Sequence, residues 1–89
     1  MRIRGALMGK VATLFNVYAN PGSEQLVSSE IKEKLKPNSI QTEDIAFGIK
    51  VIKVMFIHED SEGSEKLEEK LRAIPEANNV EVSEESLIS

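Results

Sequence analysis

From Ile49 to His58 the chain alternates: Ile52, Val54 and Phe56 fall on one face of an extended segment, and Val51, Lys53, Met55 and Ile57 on the other. A strand with one wholly apolar face and one mixed face fits a sheet that is covered mainly on one side. That single stretch excludes a helical bundle and a parallel sheet buried on both faces. It demands something apolar to lie against Ile52, Val54 and Phe56.

The cover is supplied by two segments with helical spacing. Leu26, Val27, Ile31 and Leu35 share one face of a helix predicted over 23–35, with Ser23 as N-cap and Pro37-Asn38 as its stop. Leu67, Leu71 and Ile74 line the inner face of a second helix, capped by Ser64 and halted before Pro75. A first strand runs from Lys10 to Ala19, with Val11, Thr13, Phe15 and Val17 on one side. Ser39 to Ile45 reads as a more polar strand, joined through Ala46-Phe47-Gly48 to the strong one. A short last strand is expected over Val80 to Val82, followed by an acidic tail.

The order is βαββαβ, two split βαβ units whose right-handed crossovers place both helices on one face of an antiparallel sheet. The expected fold is therefore α+β, a ferredoxin-like sandwich. Its core should join Ile52, Val54, Phe56, Leu67 and Leu71 to Phe15, Val17 and Ile31. At 89 residues there is room for one such domain. Residues 1–7 read as an N-terminal extension ahead of a second Met-Gly-Lys, and 8–89 as one unit.

The chain has no cysteine, which rules out a disulfide framework, a thiolate nucleophile and a cysteine zinc site together. The five glycines are scattered singly, so no phosphate-binding loop is present, and no serine stands in a nucleophile elbow. His58 is the one histidine; beside Glu59 and Asp60 it is better read as part of a solvated turn than as a metal or acid–base site. No catalytic residue, metal or cofactor is expected. The formal charge of −4 argues against a phosphate backbone as partner and for a basic protein surface. Without an apolar run of about 20 residues or a signal-peptide pattern, the expected location is the cytoplasm.

One segment resists a bland account. A hairpin tip is normally polar, yet here Phe47 stands between small residues in Asp44-Ile45-Ala46-Phe47-Gly48-Ile49-Lys50. It is either a core plug or an exposed anchor. Taken with the alternating strand, His58-Glu59-Asp60 and Gly63-Ser64-Glu65-Lys66-Leu67-Glu68-Glu69, the Phe47-Gly48-Ile49-Lys50 run resembles the exchange domain of elongation factor 1-beta. The resemblance extends from about Lys10 to the C-terminus, and the size is similar to the archaeal form. It implies a guanine-nucleotide exchange factor for the GTPase elongation factor 1-alpha, with the same ferredoxin-like fold.

It also implies that Phe47 docks in the second domain of the GTPase, with Gly48 and Lys50 beside it. Eukaryotic members carry a lysine just before their last residue, directed at the magnesium and phosphate region. This sequence departs from that pattern: nothing basic follows Arg72, and the corresponding place is held by Leu87 and Ile88. Those five residues, Phe47, Gly48, Lys50, Leu87 and Ile88, are the expected partner-binding set. A monomer is expected. Two other classes stay open on this fold: an RNA-recognition module, and a small-molecule regulatory domain that dimerises through its sheet.

Overall fold

A computed structural model describes residues 9–59 and 63–88. The elements are β1 (Lys10–Ala19), α1 (Glu24–Leu35), β2 (Ser39–Ala46), β3 (Ile49–Glu59), α2 (Glu65–Arg72) and β4 (Ala77–Leu87). The four strands form one sheet in the order β2-β3-β1-β4, and every neighbouring pair is antiparallel. This is the expected ferredoxin-like sandwich. The extension assigned to 1–7, and the turn residues 60–62, lie outside the described residues.

The alternation along β1 and β3 sets the register. Phe15 lies opposite Val54 and Thr13 opposite Phe56, so the inward faces of the two central strands coincide. Phe15, Val17, Ile52, Val54 and Phe56 are buried together with Val27 and Ile31 of α1, Leu71 of α2, and Ile74 and Val80 beyond it. Leu67 and Leu35 pack against this cluster but stay partly exposed. The rings of Phe15 and Phe56 meet edge to face, with centroids 6.0 Å apart and planes at 75°, an arrangement favoured by the ring quadrupole.

Several expectations need correction. Leu26, expected on the inner face of α1, is 54% exposed. Val27 and Ile31, one turn apart, already form the buried stripe, and Leu26 lies about 100° round the helix from its neighbour. Ser23 and Ser64 occupy the N-cap positions, yet neither makes a side-chain cap bond. Ser23 Oγ instead lies 3.4 Å from Glu76 Oε1, which also accepts from Asn20 Nδ2 at 2.8 Å. That small network ties the β1–α1 turn to the α2–β4 turn. Val51, on the mixed face of β3, is nevertheless only 2% exposed.

The largest correction concerns the C-terminus. The supposed three-residue strand and acidic tail are one strand of 11 residues, Ala77–Leu87. It pairs with β1 along almost all of its length, from Ala77 opposite Ala19 to Leu87 opposite Val11. A register shift at Leu14/Phe15 leaves Ser83 as the extra residue of a bulge, since Val82 faces Phe15 and Glu84 faces Leu14. An edge strand tolerates the glutamates because its outer side meets water. Ile88 continues the contact by donating its N–H to the Lys10 carbonyl at 2.9 Å.

Between α1 and β2 the chain turns on two residues. Lys36 takes a left-handed conformation (φ 49°) and its N–H closes on the Ile31 carbonyl, a helix ending more often given to glycine. Asn38 then donates its backbone N–H to Met55 O and accepts from the Ile57 N–H at its Oδ1, both at 2.9 Å. Asn38→Ala removes the second of these bonds. The expected loss is about 1 kcal/mol, read from the urea midpoint at unchanged slope.

Candidate functional site

The β2–β3 hairpin closes in two residues, Phe47 and Gly48, between the paired Ala46 and Ile49. Both carry positive φ, 50° and 77°, as a type I′ turn requires. That turn matches the right-handed twist of its strands, but it is built for Asn-Gly. Gly48 meets the requirement freely. Phe47 does not, because an L-residue in the left-handed region costs roughly 1–2 kcal/mol. Its side chain gains nothing in return within the chain, being 101% exposed. The core-plug alternative is excluded, and an aromatic both strained and bare is the kind of outlier that points to a task outside the folded chain.

This strain has a measurable consequence. Phe47→Asn suits both the turn type and water, and should raise stability by roughly 1 kcal/mol, seen as a higher urea midpoint. An unchanged or lowered midpoint would contradict the strained-turn geometry.

Phe47 is not alone. A register shift between Asp44 and Ala46 leaves Ile45 as an extra residue on β2, and Ile45, Ile49 and Leu26 of the first turn of α1 are all exposed at this end. Beside them opens a cleft of about 680 Å³ lined by Tyr18, Pro21, Glu24, Phe47, Gly48, Ile49, Lys50 and Asn79 among others. Lys50, opposite Asp44 on β2, stands at its rim. The structure thus places Phe47, Gly48 and Lys50 together. Ile45, Ile49 and Leu26 were not foreseen; the apolar residues flanking a hairpin tip were the available signal.

Leu87 and Ile88 lie elsewhere. β3 runs from the Phe47 turn to His58 and Glu59, and Leu87 pairs with Val11 at that far end. Ten residue steps of strand put the two ends about 33 Å apart. Among the described residues Leu87, Ile88 and Ile57 are the exposed large apolar side chains there, and Val82 is the one in between. Exposed apolar surface is therefore concentrated at both ends of an elongated body, with a long axis of 52 Å.

Among the described residues no three His, Asp or Glu side chains stand close enough together to hold a metal ion, and no helix is long and apolar enough to cross a membrane. What the geometry offers is two apolar ends on a rigid sheet, one tipped by an aromatic. That is the build of a domain that docks on another protein.

Comparison with known families makes this specific. The sequence model of the EF-1 guanine nucleotide exchange domain matches residues 23–88, most of the chain, and the chain belongs to that family. It is therefore a guanine-nucleotide exchange domain of translation elongation, and its partner is elongation factor 1-alpha. The matched range begins at α1, so β1 lies ahead of it. Among curated proteins no match to the chain is found.

Proposed function

We propose that the chain releases GDP from elongation factor 1-alpha by holding the GTPase at both ends of its sheet at once, Phe47 anchoring one domain and Leu87 with Ile88 pressing on the nucleotide-binding one. The observation that carries this is the strained, fully exposed Phe47, placed about 33 Å along the strands from a second exposed apolar cluster. The factor makes and breaks no bond. It acts by coupling: a protein that binds the nucleotide-free GTPase more tightly than the GDP-bound form must weaken GDP by the same factor.

The archaeal type of the family belongs to this reading, and a cytoplasmic monomer fits a partner that serves the ribosome. Protein is the partner and nucleic acid is not, since the open face presents Leu14, Met55 and Ile57 beside Glu81 and Glu84, with Tyr18 as its one aromatic among the described residues, where an RNA-binding sheet would carry several stacking aromatics under basic charge.

The two ends have separable roles, and kinetics distinguish them. An anchor that grips the GTPase equally in both nucleotide states sets how much factor is needed but not the rate at saturation. Phe47→Ala should therefore raise the half-saturating concentration and leave the maximal GDP-release rate nearly unchanged. Leu87→Ala with Ile88→Ala should lower the maximal rate. If both variants change the same parameter, the division of labour is wrong.

A further inference from the structure

At the end of the sheet that carries Leu87, a polar cluster crosses three strands. Thr13 on β1 is fully buried. Its Oγ1 lies 2.8 Å from His58 Nε2 on β3 and donates to Glu85 Oε2 on β4 at 3.0 Å. His58 Nδ1 lies 3.0 Å from the Glu59 carbonyl. The donors can be counted. A hydroxyl has one hydrogen, and that of Thr13 is committed to the Glu85 carboxylate, so Nε2 must donate to Oγ1. A backbone carbonyl only accepts, so Nδ1 must donate as well. With Glu85 ionised, and so only an acceptor, all three bonds coexist only when the ring carries a hydrogen on both nitrogens, and a neutral ring must forfeit one of them.

We propose that His58, doubly protonated, clasps Glu85 through Thr13 and so positions the end of β4, with Leu87 and Ile88, for the GTPase. The proposal rests on the two-ended docking above, and makes His58 a positioning residue, not a contact. Glu85 lies two residues before Leu87, past the Ser83 bulge, where β1 is the one strand paired with β4. His58, Glu85 and Leu87 line one cavity of about 450 Å³, together with Val11, Ser64 and Glu65. Among the described residues the charged groups around the ring are Glu85 from β4, Glu65 from α2, and Glu59 of β3 with Lys10 of β1, whose ion pair spans 3.9 Å. Because the third bond needs the second proton, the clasp is complete only while both ring nitrogens carry a hydrogen.

The test has two arms. Ring ¹⁵N spectra of the isolated chain are unambiguous, because His58 is the one histidine. Both nitrogens should be protonated at the acidic end of the folded range, and the Leu87 and Ile88 amide signals should move with the loss of the second proton. A single neutral tautomer throughout, or a titration that leaves those amides unmoved, overturns the clasp. In the second arm, GDP release at saturating factor should decline as pH rises for the parent chain. Thr13→Val and His58→Gln should start several-fold slower with that dependence flattened, while the half-saturating concentration set by Phe47 stays the same. Variants that keep the parent pH profile also overturn it. If the parent chain releases no GDP at any pH, the exchange reading fails, and the spectra still decide whether the clasp exists.

Discussion

Phe15→Ala is expected to lower stability by about 3 to 5 kcal/mol. Phe15 sits mid-way along β1, a central strand, between Val54 of β3 and Val82 of β4, with no exposed surface. Truncation removes a large apolar group from water-free surroundings and ends the edge-to-face contact with Phe56. The cavity cannot readily collapse, because the backbone around it is held by hydrogen bonds to strands on both sides. Domains are stable by only about 5 to 15 kcal/mol, so the variant should approach the edge of folding. A urea midpoint displaced by less than the equivalent of about 1 kcal/mol would mean that the core does not centre on this ring.

Phe47→Ala should behave in the opposite way. The side chain makes no buried contact, so folding stability should change by well under 1 kcal/mol. Binding to elongation factor 1-alpha should weaken by about 2 kcal/mol or more, roughly thirtyfold, as expected of an aromatic anchor filling a partner's pocket. Isothermal titration on the nucleotide-free GTPase measures it directly. Phe47→Tyr should retain more affinity than Phe47→Ala. A stable Phe47→Ala chain that binds normally would remove the anchor and with it the two-ended docking. The comparison with Phe15 is informative because both substitutions delete the same atoms, and only their places in the fold separate the outcomes.

The parts of the fold legible in the sequence were those whose periodicity is unbroken. In β3 the alternation of Ile52, Val54 and Phe56 with Lys53 and Met55 required a one-sided sheet, and β1 repeated the pattern in register. β4 was not legible beyond Val82, for a physical reason: the bulge at Ser83 shifts the parity, so the inward positions run Val80, Val82, Glu85, Leu87. A period of two cannot be followed across that step, and Glu84 and Glu85 between serines then read as a tail.

The site divides similarly. Phe47 was conspicuous in sequence, but plug and anchor have the same composition; only a two-residue turn with both φ angles positive throws the ring into solvent. Leu87 and Ile88 came from resemblance alone, and their distance from Phe47 follows from the strand directions. His58 read as a bystander because its partners are remote: it stands 45 positions from Thr13, which stands 72 positions from Glu85. Contacts made across strands leave no trace in local spacing.

The central claim is that this chain drives nucleotide exchange. Fluorescent GDP bound to elongation factor 1-alpha, chased with excess unlabelled GDP, measures it most directly. Added chain should accelerate release in proportion to its concentration and then saturate, with no GTP hydrolysed by the chain alone. Release that stays at the spontaneous rate with a saturating excess of folded chain would contradict the account.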